Sequence, residues 1–210
     1  MEIDDAATRW STDDRTGKPL LVLLHGYGSD EDDLFGLVRF LPDAFAVASV
    51  AAPLTPPWPL PGRSWYPIDG LDGRDPSHVT AAAEALVRWL EPLAAHAPSV
   101  ALLGFSQGAA VSLQALRISP DLVGAVVALS GYASTGDLPL DAQLAQSRPP
   151  VFWGRGTHDD IIGAHLVQHT TEWLPGHSTL TGRVYPGLTH SISEDELIDV
   201  RRFLETWIES

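Results

Sequence analysis

Six short apolar runs set the rhythm of the chain. Residues 20–25 (LLVLLH) are stopped by Gly26, and 45–52 (FAVASVAA) by Pro53. Residues 99–105 (SVALLGF), 122–131 (LVGAVVALSG), 149–154 (PPVFWG) and 182–187 (GRVYPG) follow, each bounded by turn-forming residues. Short apolar runs between turn signals predict strands buried on both faces of a mostly parallel sheet. Between them the period changes. Residues 80–95 place Leu86, Val87, Leu90 and Leu93 on one face, the spacing of an amphipathic helix. Residues 193–208 open with SEDE, which predicts a capping box between Ser193 and Glu196, and continue with Leu197, Val200, Leu204 and Trp207 as a buried stripe. AAVSLQALR after residue 108 and GAHLVQHTTEW after residue 162 also read as helices. Strands alternating with helices predict an α/β fold with helices on both faces of the sheet. In such a fold ligands bind beyond the carboxyl ends of strands, so the loops there are where chemistry is expected.

A length of 210 residues predicts a single domain over 1–210, large enough for a substantial core. The net charge of −14 weighs against nucleic acid and against stable association with anionic membranes. The chain has no cysteine, which removes disulfides, thiolate nucleophiles and cysteine metal sites together. The acidic start MEIDDAATRW lacks the apolar region of a signal peptide, and a cytoplasmic protein is the expectation. Residues 53–76, PLTPPWPLPGRSWYPIDGLDGRDP, are rich in proline and glycine and carry Trp58, Trp65 and Tyr66. So long a connection predicts a binding loop or lid.

Three of the post-strand loops carry candidate catalytic groups. GFSQG, residues 104–108, lies between a strand and a helix pattern, the context of a nucleophile elbow with Ser106 at its apex. A serine hydroxyl needs a base and an orienting acid. For this elbow the chain order is serine, acid, histidine. RGTHDDIIG supplies Asp159 or Asp160, and LTHSIS supplies His190. The other histidines fit less well. His158 precedes the acids, and His165 and His169 lack the glutamate and third ligand of a hydrolytic zinc motif, so no metal is expected. An oxyanion hole would take the N–H of Gln107, which follows the nucleophile. Its second donor would be the N–H of Tyr27, in HGYGSDEDDL just past the first strand. In the same stretch Asp30 or Ser29 is placed to cap the next helix.

HGYGSDEDDL, SWYPI, GFSQG, GTHDDII and YPGLTHSIS, in that order, resemble the phospholipase/carboxylesterase family of α/β-hydrolases that includes acyl-protein thioesterases. The likeness extends from about residue 20 to residue 208. It implies a compact α/β-hydrolase that cleaves small-molecule carboxylic esters or thioesters without a cofactor, and homodimers are common in that family. It implies Asp159 rather than Asp160 as the acid, by the spacing from Gly156, with Ser106 and His190 as its partners and Tyr27 and Gln107 as oxyanion donors. It also implies that Trp65 and Tyr66 line the acyl pocket. Thioesterase lids are aliphatic, whereas PLTPPWPLPGR is dominated by proline and tryptophan, which favours esters of short to medium acyl chain. An acyl thioesterase or lysophospholipase acting on longer chains is the alternative within the family, and a small-molecule-binding module on the same fold is the alternative outside enzymes.

Overall fold

The computed structural model describes residues 1–57, 59–68 and 74–210. Trp58 and residues 69–73, part of the expected lid, lie outside the described residues. Among the described residues seven strands form one sheet: β1 (Arg9–Trp10), β2 (Leu20–Leu24), β3 (Ala46–Val50), β4 (Val100–Phe105), β5 (Ala125–Leu129), β6 (Pro150–Gly156) and β7 (Thr179–Tyr185). Their spatial order is β1-β3-β2-β4-β5-β6-β7, and only β1 runs antiparallel to its neighbour. The helices are α1 (Glu31–Phe35), α2 (Pro76–Ala94), α3 (Gln107–Ile118), α4 (Asp141–Ser147), α5 (Ala164–His177) and α6 (Glu194–Ile208).

The period of two along each strand divides the core. Leu20, Val22 and Leu24 point to the face covered by Leu86 and Leu90 of α2, Ala109 and Leu113 of α3, and Leu166 and Leu174 of α5. Leu21 and Leu23 point to the other face, with Leu34 of α1 and Val200 and Leu204 of α6. Continuous apolar strands are therefore what a sheet covered on both sides requires.

The differences from the sequence reading have local causes. Helix α2 begins at Pro76, earlier than residue 80, because Asp75 caps the Ser77 N–H and Pro76 supplies a preset first turn. The last strand lies over Thr179–Tyr185 rather than 182–187, and most of its residues are exposed or half-buried at the sheet edge. Apolar patterning is a weak guide to such an edge. The short β1 and α4 carry too few residues for a period to register. Asp30, not Ser29, caps α1 by accepting from the Asp32 N–H.

One buried cation fixes the loop after β5. Arg117 of α3 is fully buried and uses all five of its N–H donors. Nε and Nη2 donate to the two oxygens of Asp141 at 2.9 and 2.7 Å. Nη2 also donates to the Gly136 carbonyl, and Nη1 to the Ser134 carbonyl and Gln114 Oε1.

The expected capping box is only half formed. Ser193 Oγ accepts from the Glu196 N–H at 3.1 Å, but the Glu196 carboxyl does not return the bond. It turns inward beneath β6, so close that a Cβ on Gly154 would lie 2.0 Å from Glu196 Oε1. The side chain is fully buried, and neither oxygen has a hydrogen-bond partner among the described residues. Burial pushes its pKa up from 4.5 to about 7; the nearby Ser193 backbone N–H opposes the rise and the Asp199 charge adds to it. A carboxyl that holds its proton more tightly folded than unfolded contributes stability that is complete below about pH 4.5 and is lost as pH rises through 7. Glu196→Gln cannot ionise. Urea unfolding of both proteins at pH 5 and pH 8 is therefore expected to show the variant gaining on the native protein by on the order of 2–3 kcal/mol at the higher pH. An equal difference at both pH values would contradict a buried titrating carboxyl.

Candidate active site

The stretch GFSQG turns the chain from β4 into α3. Ser106 sits at the turn with φ 54° and ψ −113°, a conformation that a non-glycine residue holds only when its surroundings enforce it. Its N–H donates to the Leu129 carbonyl at 2.8 Å. The glycines on either side allow the crowding: a Cβ on Gly104 would lie 2.3 Å from the Gly108 backbone, and one on Gly108 would lie 2.0 Å from the Leu24 carbonyl oxygen.

The loop after β6 brings Asp159, and the loop after β7 brings His190. His190 Nε2 is 2.8 Å from Ser106 Oγ, and His190 Nδ1 is 2.9 Å from Asp159 Oδ2. A carboxylate only accepts, so Nδ1 carries the proton and Nε2 is left to accept from the serine hydroxyl. Asp159 Oδ1 accepts from the Ile161 and Ile162 N–H groups at 3.0 and 3.2 Å, which fixes the carboxylate from behind. Burial alone would raise the Asp159 pKa, but the bond and charge of His190 and the two amides outweigh it, and the net shift is downward. Asp160 is exposed and takes no part in the chain of bonds. Phe105 packs its ring against His190, with centroids 4.9 Å apart.

The loop after β2 reaches the same place. A Cβ on Gly26 would lie 3.6 Å from Ser106 Cβ, so the chain passes beside Ser106 just before Tyr27. The Tyr27 and Gln107 N–H groups make no main-chain hydrogen bond among the described residues. Both residues border a cavity of about 220 Å³ that opens onto Ser106 and His190. Its other walls are Tyr66, Ile68, Arg74, Tyr132, Ile161 and Ile162.

Of the two aromatics expected in the pocket, Tyr66 lines this cavity and Trp65 does not. Trp65 is a buried strut: its indole N–H donates to the His25 carbonyl at 2.9 Å, and its backbone N–H donates to Gln107 Oε1 at 2.8 Å. Gln107 Nε2 in turn donates to the Tyr66 carbonyl at 2.6 Å. His25 is also buried. Nδ1 donates to the Gly26 carbonyl and Nε2 accepts from the Ala52 N–H. Burial lowers its pKa and keeps the ring neutral, as an accepting Nε2 requires. The side chains of His25, Trp65 and Gln107 thus lock together the loops after β2 and β4 and the segment 64–66. Sequence reasoning missed Tyr132 and the isoleucines. Tyr132 follows Gly131 in a post-strand loop, the one signal that pointed to it; Ile161 and Ile162 adjoin Asp159.

A mostly parallel sheet, an elbow serine after a central strand, and acid and histidine loops at the same end define an α/β-hydrolase. Residues 10–208 match the phospholipase/carboxylesterase family model, and the chain belongs to that family. It is 38% identical over 112 residues to acyl-protein thioesterase 1 of Debaryomyces hansenii, a match over 52% of this chain and about half, 48%, of that protein. It is 27% identical over 190 residues to esterase YpfH of Escherichia coli, covering 85% and 78% of the two chains. The crystal structure of esterase PE8 superposes with a TM-score of 0.78 at 27% identity, covering 98% of this chain and 99% of the other. None of the helices among the described residues is long and apolar enough to cross a membrane.

The packing at the elbow gives a test by contrast. Gly108→Ala places a methyl group inside backbone atoms of β2 and is expected to cost several kcal/mol, read as a large fall in melting temperature. Gly176→Ala, in α5 with nothing within 4 Å of the new Cβ, is expected to be neutral or to stabilise by up to about 1 kcal/mol.

Proposed function

We propose that the protein hydrolyses carboxylic esters of short to medium acyl chain through an acyl-enzyme intermediate on Ser106. The observation that carries the reading is the continuous relay from Ser106 Oγ through His190 to Asp159, with steps of 2.8 and 2.9 Å. His190 Nε2 takes the serine proton as Oγ attacks the ester carbonyl. The Tyr27 and Gln107 N–H groups receive the oxyanion, Gln107 with the added positive potential of the α3 N-terminus. His190 then passes its proton to the leaving alcohol, and a water deprotonated by the same nitrogen releases the acid. Asp159 holds the Nδ1 tautomer and stabilises the imidazolium. No step calls on a metal or cofactor.

The names of the relatives support ester and thioester substrates alike. The cavity supports the shorter acyl groups: at about 220 Å³ it lies below the ~300–1,000 Å³ usual for pockets that hold drug-sized ligands. A small-molecule ester free in solution is the expected partner, in keeping with the net charge of −14 and a cytoplasmic setting.

Hydrolysis of p-nitrophenyl esters from acetate to palmitate tests the reading. Activity is expected to peak at the short chains, and Ser106→Ala is expected to abolish it. Asp159→Asn is expected to lower kcat by on the order of 10⁴, since the amide favours the wrong histidine tautomer. Equal rates for Ser106→Ala and the native protein would remove the proposal, and a rise toward palmitate would replace it with a long-chain thioesterase or lysophospholipase.

A further inference from the structure

Away from the reacting groups the cavity is walled by Ile68, Ile161 and Ile162, with Arg74 and a pair of phenols as polar lining. The hydroxyls of Tyr66 and Tyr132 lie 2.7 Å apart, and the two side chains are 0% and 2% exposed. Two phenols bring two protons and form one hydrogen bond between them. The second O–H has no protein acceptor among the described residues. Burial raises the pKa of both phenols, so both keep their protons at neutral pH. A buried donor without an acceptor is costly, and the cost is removed only by a partner that enters the cavity.

The pair is held so that it cannot relax away. Gln107 Nε2 binds the Tyr66 carbonyl, and Ser64 Oγ donates to the same oxygen at 2.7 Å. Tyr132 follows Gly131, where an added Cβ would lie 2.3 Å from Ala109 Cβ and 3.1 Å from the Ser106 carbonyl. The Arg74 guanidinium lies over the Tyr132 ring at 5.7 Å. The nearby isoleucines Ile68, Ile161 and Ile162 offer the occupant only apolar surface.

Resting on the reading of this cavity as the acyl pocket, we propose that the Tyr66–Tyr132 pair is a specificity determinant that donates a hydrogen bond to an oxygen in the acyl group. The preferred substrates are then esters of short acids with a hydroxyl, ether or keto oxygen a few bonds from the scissile carbonyl, rather than plain alkanoates. A site with a buried donor rejects an analogue that lacks the acceptor, because the donor is then left unpaired.

The test compares p-nitrophenyl methoxyacetate with p-nitrophenyl butyrate, which differ by oxygen in place of a methylene at nearly equal size. Each kcat/KM is divided by the rate constant for hydroxide attack on the same ester, which removes intrinsic reactivity. The native protein is expected to favour the ether ester by about tenfold on this scale. The double variant Tyr66→Phe/Tyr132→Phe keeps both rings and deletes both oxygens, and the preference is expected to vanish. Tyr132→Phe alone is expected to lower it about threefold, and this single variant decides the matter if the double variant does not fold. Both esters are measured on one preparation, so the ratio does not depend on the fraction folded. Hydrolysis that depends on Ser106 but shows the same ratio in native protein and variants overturns this proposal alone. Hydrolysis of neither ester, or hydrolysis that survives Ser106→Ala, overturns the esterase reading and this proposal with it.

Discussion

The sharp turn at Ser106 is the constraint on which the site depends. A serine with φ 54° and ψ −113° stores on the order of 1–3 kcal/mol of backbone strain, so its surroundings must over-determine it. They do so from three sides. The Leu129 carbonyl fixes the serine N–H, the α3 backbone lies against β2 at Gly108, and the loop after β5 closes over the turn at Gly131. The reward is position. Ser106 stands at the end of a central strand with a helix N-terminus behind it, and its hydroxyl is offered to a loop from the far side of the sheet.

The elbow and the loops beside it are joined by buried polar contacts rather than by apolar packing alone. His25, Trp65 and Gln107 connect the loop bearing Tyr27, the segment bearing Tyr66 and the elbow itself. Each buried side-chain polar atom in this set has a partner, so the network adds rigidity at little uncompensated cost. Glu196 is the opposite case. It lies under β6 near the start of α6, with its carboxyl unmatched. The helix that follows the His190 loop thus begins on a group whose charge state changes near neutrality.

The sequence disclosed most where function is written in a contiguous stretch. The elbow and the loops bearing Asp159 and His190 are local signals, and the structure places each beyond the end of a strand as expected. The choice between Asp159 and Asp160 was not local, since both sit in the same loop and the contact with His190 lies 31 residues away. Trp65 and Tyr66 show a second limit. Neighbours in an irregular segment point to different places, and the family resemblance assigned both to the pocket, whereas only Tyr66 lines the cavity beside Ser106. Tyr132 stands 66 residues from Tyr66, and nothing in either stretch signals that their hydroxyls meet. Glu196 had the correct spacing for a capping box, but space under Gly154 drew its carboxyl inward. In each case tertiary juxtaposition decided what spacing could not.

Arg117 carries a consequence beyond the loop it anchors. With its five donors spent on Asp141, Gln114, Ser134 and Gly136, the chain that runs on from Tyr132 has little freedom left to lose. To move that wall would mean parting a desolvated ion pair, a far larger penalty than a small guest could offset on entry. The chamber is therefore cast before any guest arrives, and occupancy orders the guest but not this part of the host. A wall held this way presents its groups, the Tyr132 hydroxyl among them, at fixed positions, as a rigid template does, and that presentation should change little on warming until the fold itself gives way.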